Sequence, residues 1–159
     1  MQTIDHNFHG LLHSADLIEA DLRRKLSPLG LLPRQARVIE AIGRMGPVSQ
    51  SDIASAFGVT PASMSTMTDR LLSAGYITRA VDPGSRRRHI LELTDTGRTL
   101  LNGIGDAWTA VDDGIRASLG ADAETLFELA RRLRDGLGGK IPGDKNADAG
   151  IELPPKLKH

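Results

Sequence analysis

A capped polar helix that directly precedes a short β-hairpin is the feature that most constrains this fold. The helix is predicted between Thr60 and Gly75. Thr60 is a typical N-cap, because its hydroxyl can accept a free amide hydrogen bond in the first turn, and Pro61 suits the first helical position. Gly75 can adopt the left-handed conformation that ends a helix. One face of the helix is apolar and the other is short and polar, so the polar face can approach a flat partner closely.

A shorter helix precedes this one, and two β-prone runs follow it. Ser49 and Asp52 predict a capping box, with aspartate in place of glutamate. Two short helices joined by a glycine-containing turn are typical of a helix-turn-helix. Residues 76–81 and 89–94 are β-prone, and residues 82–85 between them form a turn cluster. The sequence therefore predicts a helix-turn-helix followed by a β-hairpin.

Positive charge is concentrated in and beside the hairpin. The chain carries 20 basic and 20 acidic residues, whereas residues 70–89 hold five arginines and one aspartate, a local formal charge of +4. A local basic patch is what phosphate binding requires. Three adjacent arginines alone would more simply be a solvated turn, but beside a polar, capped helix they favour double-stranded DNA. The five are Arg70, Arg79, Arg86, Arg87 and Arg88.

The same stretch resembles the MarR family of transcription regulators, over about residues 15–137. Many relatives carry aspartate just before the first wing arginine, where it commonly holds that arginine in place; here the position is Ser85. The segments that carry the resemblance are Ser51-Asp-Ile-Ala54, Asp69-Arg-Leu-Leu, Ala74-Gly-Tyr-Ile-Thr-Arg79, Asp82-Pro, Arg86-Arg87 and Leu91-Glu-Leu-Thr-Asp-Thr-Gly97.

The pattern and the resemblance together predict a mainly α fold with a small β-wing, in one domain over residues 1–137. A winged helix-turn-helix DNA-binding lobe is expected over residues 30–97. N- and C-terminal dimerisation helices are expected at 5–28 and 96–137, and a flexible tail at 138–159.

Apolar side chains recur at i, i+3, i+4 and i+7 along the terminal helices. A break is expected at Ser27-Pro28, and the next helix, residues 33–45, should turn Val38, Ile39 and Ile42 inward. The terminal stripes exceed what one winged helix can cover, so a homodimer is predicted. Two-fold pairing would separate two recognition helices by roughly 34 Å, one DNA turn, and would suit a palindromic operator.

Roles follow for the polar face and the wing. Ser63, Ser65 and Thr66 are predicted to reach base edges in the major groove, and Arg70 a phosphate. Arg86 is predicted to enter an adjacent minor groove. Arg87 and Arg88 would contact the DNA backbone or brace the wing.

The resemblance also implies a small-molecule effector, often an aromatic acid or a lipophilic compound, that releases a repressor from its operator. The predicted walls of its site lie on the first, second and fifth helices, although Trp108 is more often a core or dimer contact. They are Leu12, His13, Asp16, Ile42 and Trp108.

His6, His9 and His13 form a row on the first helix. Histidines at this spacing could bind a divalent metal, which would make the chain a metal-responsive repressor. An exposed polar face is the simpler interpretation, and a dimer contact or a pH response is a third.

Composition narrows the function classes. Aromatic residues make up 3% of the chain, which disfavours a stacking surface for single-stranded nucleic acid, and cysteine is absent, which excludes thiolate zinc sites and a cysteine redox switch. No glycine-rich phosphate loop or nucleophile motif indicates an enzyme, and no cofactor is expected. Without a membrane-spanning run or a signal-like start, a cytoplasmic protein is expected. A winged-helix protein-interaction module remains an alternative, to be distinguished by the salt dependence of binding.

Overall fold

The structure, a computed structural model, describes residues 6–139 and confirms the mainly α fold with a small β-wing. Helices α1 and α2 are joined by a short 3-10 turn, and α5 and α6 follow the wing. The elements are α1 (Asn7–Leu26), the 3-10 turn (Ser27–Leu29), α2 (Pro33–Met45), β1 (Val48–Ser49), α3 (Gln50–Ala56), α4 (Pro61–Ser73), β2 (Ile77–Asp82), β3 (Ser85–Leu93), α5 (Asp95–Leu119) and α6 (Asp122–Gly136).

The wing is a three-stranded antiparallel sheet in the order β1-β3-β2. The predicted hairpin is present as β2 and β3, and its arginine triplet lies on β3. The first strand was not predicted, because residue 48 was expected only to lead into the next helix. Val48 pairs with Leu91 and Ser49 with Ile90, so two residues of β1 fix where α3 starts relative to β3.

The core lies where α2, α3, α4 and β3 meet the inner ends of α1 and α5. Val38, Ile39 and Ile42 are each at most 1% exposed, as their spacing on α2 predicted. At Ser27 the chain does not simply break: it continues from α1 into the 3-10 turn, with Pro28 at its start, before Gly30 reverses it at φ +67°. Within the described residues, no helix is both long and apolar enough to cross a membrane.

The start of α5 packs closely on the chain that leaves α4. Gly97, in the first turn of α5, is buried, and a Cβ added there would meet the carbonyl oxygen of Tyr76. A residue without a side chain is therefore required at this contact.

Helices α1 and α6 each leave large apolar side chains exposed, and together we call these side chains the terminal apolar surface. Beside it, the guanidinium of Arg116 lies 5.3 Å from the ring centroid of Phe127 and donates a hydrogen bond of 2.8 Å to Glu124, which raises the pKa of Arg116 above its ordinary value. The terminal apolar surface comprises Phe8, Leu11, Leu12, Leu17, Ile18, Leu126, Leu129, Leu133 and Leu137, which are 37–79% exposed.

Of the predicted flexible tail, residues 140–159 lie outside the described part of the chain.

Candidate nucleic-acid interface

Helix α4 begins as its sequence predicts. The amide of Ser63 donates a 3.1 Å hydrogen bond to Oγ1 of Thr60, and Gly75 adopts φ +76° after the helix. Met64 and Leu71 are at most 2% exposed and dock the helix on the core.

Thr68, on the same helix, is fully buried, which the sequence pattern did not indicate. Its hydroxyl lies 3.1 Å from the carbonyl oxygen of Ser65 and 3.2 Å from Oε1 of Gln50 on α3. A buried hydroxyl that reaches the neighbouring helix fixes α4 against α3. The polarity of threonine concealed this role in the sequence, since a polar residue beside Met67 and Asp69 suggests an exposed position.

The opposite face of α4 is exposed. Ser63, Thr66 and Arg70 follow i, i+3, i+7 spacing and are all exposed, whereas Ser65 is half-buried. The hydroxyl of Thr66 donates to the carbonyl oxygen of Ala62 at 3.2 Å, so its lone pairs remain able to accept a hydrogen bond. These four side chains are therefore available to a partner to different degrees, with Ser65 the least accessible.

The five arginines divide into two groups. Arg79 of β2 pairs with Asp69 of α4 at 3.0 Å, and Arg88 of β3 pairs with Asp52 of α3 at 3.0 Å. Among residues 6–139, no carboxylate forms an ion pair with Arg70, Arg86 or Arg87, which are all exposed. Three of the arginines are therefore available to bind an anion, and the other two connect the wing to the helix-turn-helix.

The row of His6, His9 and His13 is exposed on α1. The rings of His6 and His9 lie 6.2 Å apart, and Phe8 stacks on His6 with a centroid distance of 5.9 Å. Within the part of the chain that the structure describes, no group of three or more His, Asp or Glu side chains is arranged to hold a metal ion.

A cavity of about 500 Å³ lies between α1, α2, the end of α3 and α5. Of the five predicted effector residues, Trp108 lines it. Leu12, His13 and Asp16 are exposed on α1, and Ile42 is buried in the core; none of these four is part of its wall. Its lining comprises Leu22, Arg37, Glu40, Ala41, Arg44, Ala56, Phe57, Trp108, Val111 and Asp112.

Comparison with known proteins agrees with this architecture. The model of the MarR family matches residues 29–88, which hold α2 to α4 and the wing through Arg88. A crystal structure of MarR superposes with a TM-score of 0.74 at 27% identity, over 86% of this chain and 95% of that one. The MarR family is thus the one that this chain resembles in both sequence and fold. The family resemblance seen in the sequence is thereby confirmed, and with it a family of winged helix-turn-helix transcriptional regulators rather than of enzymes.

Two further proteins show how far the similarity extends. The regulator YcgE of Bacillus subtilis is 32% identical over 63 residues, and the aligned part spans 40% of this chain and 41% of YcgE. The structure of the transcriptional repressor CouR, bound to a 23-mer DNA duplex, superposes with a TM-score of 0.75 at 26% identity, over 80% of this chain and 92% of CouR.

Proposed function

We propose that this MarR-like protein is a dimeric repressor that binds a palindromic operator through α4 and the wing. The observation that carries the proposal is a set of three exposed arginines, Arg70 on α4 and Arg86 and Arg87 on β3, that pair with no carboxylate among residues 6–139. Cations left unpaired at one surface can replace the counterions of DNA phosphates. The similar fold of CouR, whose structure holds a DNA duplex, supports the same role here.

In this proposal α4 enters the major groove. Ser63 and Thr66 reach base edges directly, Ser65 does so from a half-buried position, and Arg70 binds a phosphate. Hydroxyl groups both donate and accept, so they discriminate poorly between bases, and DNA shape contributes to specificity. Arg86 supplies part of that readout from a narrow A·T-rich minor groove, while Arg87 binds the backbone.

The terminal apolar surface is the proposed dimer interface. Leu129 and Leu133 on α6 are 50% and 49% exposed, and Phe8 and Leu11 on α1 are 52% and 54% exposed. Large apolar side chains exposed at helical spacing on both α1 and α6 are typical of an interface between subunits rather than of a monomer's surface. A two-fold arrangement would present two α4 helices to successive major grooves, which is why the operator is expected to be palindromic.

The cavity is the proposed effector site. Phe57 and Trp108 offer apolar walls to an aromatic ring. Arg37, which also pairs with Glu19 at 3.2 Å, and Arg44 bring positive charge to the same cavity, which the acids Glu40 and Asp112 also line. A small aromatic acid combines both features. Such a ligand would release DNA only by binding one arrangement of the two lobes more tightly than the other.

Selection from a random duplex library by the purified full-length chain, at low and moderate salt, tests the DNA-binding function. Enrichment of a palindrome with half-sites about one turn apart is expected, with affinity falling steeply as salt rises. The triple variant Arg70→Ala, Arg86→Ala, Arg87→Ala should lose this enrichment. A wild-type chain that retains no duplex at either salt would contradict the proposal and favour a protein-interaction module.

A further inference from the structure

We propose that Asp52 and Arg88 are positioning residues, which hold the wing against α3 and set its posture for DNA, and that Arg88 does not itself bind a phosphate. The inference deepens the proposed function. Nη2 of Arg88 lies 3.0 Å from Oδ2 of Asp52, and its Nε lies 3.9 Å from Oδ2 of Asp82. The guanidinium thus connects a carboxylate on α3 with a carboxylate at the hairpin turn.

The sheet register explains why residues 36 positions apart meet. Ser49 of β1 pairs with Ile90 of β3, and α3 begins at the next residue. Arg88 lies two residues before Ile90 and so projects from the same face of β3. The first turn of α3, which carries Asp52, is therefore held beside Arg88 by the backbone of the sheet.

Asp52 does not complete the capping box that its position predicted. Its backbone amide donates to Oγ of Ser49 at 3.1 Å, so that half of the motif is present. Its carboxylate pairs instead with the guanidinium of Arg88. The carboxylate of Asp52 therefore binds the wing and not the backbone amide of Ser49. The predicted second half of the capping box was wrong.

Asp82 connects the same contact to the tip of the wing. Its Oδ1 accepts a 2.9 Å hydrogen bond from the amide of Gly84, which orders the turn, while its Oδ2 faces Arg88. A second pair, Asp69 with Arg79, joins β2 to α4 at 3.0 Å. Each helix of the helix-turn-helix therefore holds one strand of the wing through an acid on the helix and an arginine on the strand.

The charge of Asp52 makes the two roles separable. Removing an acid beside a DNA-binding surface should, through charge alone, tighten binding. If Asp52 instead positions the wing, its loss should weaken binding although the surface becomes more positive. Both partners are about half-exposed, and exposed pairs are weak, so the expected loss is about threefold.

The first measurement needs no DNA. Amide hydrogen exchange of residues 82–88 should be faster in Asp52→Asn and Arg88→Ala than in the wild-type chain, because the tip opens more often without the ion pair. Asp95→Asn is the matched control, since Asp95 is an exposed acid at the start of α5 that pairs only with Arg98 within the described residues. Unchanged exchange in both test variants would overturn the proposed positioning role of Asp52 and Arg88, even if the chain bound no DNA at all.

The second measurement is operator affinity as a function of salt. Asp52→Asn should bind about threefold more weakly, Asp95→Asn should not bind more weakly, and Arg88→Ala should keep the wild-type salt slope. The charge-exchanged variant Asp52→Arg, Arg88→Asp should recover affinity relative to Arg88→Asp alone. Tighter binding by Asp52→Asn, or a salt slope lowered by about one in Arg88→Ala, would overturn the inference and make Arg88 a phosphate contact.

Discussion

The hydroxyl of Thr94 donates a 2.6 Å hydrogen bond to the carbonyl oxygen of Gly75, which follows the end of α4. The backbone amide of Thr94 donates to the carbonyl oxygen of Tyr76 at 3.0 Å, and its Oγ1 also accepts from the amide of Gly97 at 3.0 Å. One residue thus caps α5 and fastens the end of α4 to it. Helix α4, which is proposed to contact DNA, is therefore tied to α5, which leads toward α6 and its part of the terminal apolar surface.

Thr94→Val should lower the free energy of unfolding by about 2 kcal/mol. The substitution keeps the side-chain shape but removes both the helix cap and the bond to Gly75. Urea denaturation at a fixed protein concentration measures the change. Thr99→Val is the matched control, because the hydroxyl of Thr99 is exposed and bonds only within α5. Equal effects in the two variants would show that Thr94 acts as an ordinary helical threonine.

Gly97→Ala should destabilise the protein by about 3 kcal/mol, because its Cβ would overlap the carbonyl oxygen of Tyr76 and the two elements would have to separate. Gly105→Ala on the same helix meets no atom within 4 Å and should stabilise the chain by up to about 1 kcal/mol through helix propensity. The two urea unfolding curves should therefore shift in opposite directions from that of the wild-type chain. A shift of the same sign in both variants would contradict the close contact at Gly97.

The sequence predicted the helices well where their end signals are local. Thr60 and Pro61 placed the start of α4 correctly, and the proline at residue 33 and Gly46 bracketed α2 at both ends. Caps and left-handed glycines act within a few residues, so a short stretch of sequence contains them. The hairpin followed from the turn cluster at residues 82–85 for the same reason.

Features that depend on distant residues were missed. Strand β1 is two residues long and exists through its pairing with β3, which no local pattern indicates. The pair of Asp52 and Arg88 depends on that register, and the burial of Thr68 depends on Gln50 of a neighbouring helix. The cavity wall draws on several helices at once, so of the predicted set only Trp108 belongs to it.

Arg86→Ala should weaken operator binding at least tenfold, about 1.4 kcal/mol, because the wing would lose an exposed arginine that pairs with no carboxylate in the described part of the chain. Fluorescence anisotropy with the selected operator measures the change. Arg132→Ala removes the same charge from α6, and less than a twofold change is expected there. Wild-type affinity for Arg86→Ala in moderate salt would remove the wing from the DNA contact.

Leu129→Lys should convert the proposed dimer to monomer at micromolar concentration, because a charge would be buried in the terminal apolar surface. Sedimentation velocity distinguishes the two species. Leu32→Lys is the control: Leu32 is 53% exposed, but it lies before α2 and outside that surface. A wild-type chain that sediments as a monomer would contradict the proposed dimer directly.

Binding of a small aromatic acid should quench the fluorescence of Trp108, the single tryptophan of the chain, and should lower operator affinity over the same concentration range. Ala56→Leu would fill part of the cavity and weaken both effects together. Ala20→Leu, at an exposed position on α1, should leave both unchanged. Quenching without any loss of operator affinity would separate the cavity from regulation.

Helix α3 is seven residues long, roughly 10 Å, with Asp52 near one end and the cavity residue Ala56 at the other. A helix this short does not bend easily. A ligand that displaced the end of α3 at Ala56 would therefore also move Asp52 and the wing that it contacts. If the proposed effector weakens DNA binding, thermodynamic reciprocity requires DNA to weaken effector binding by the same factor. A chain already on its operator would take up ligand less readily than a free one. The cellular response would accordingly depend on the number of free copies, as well as on the ligand concentration.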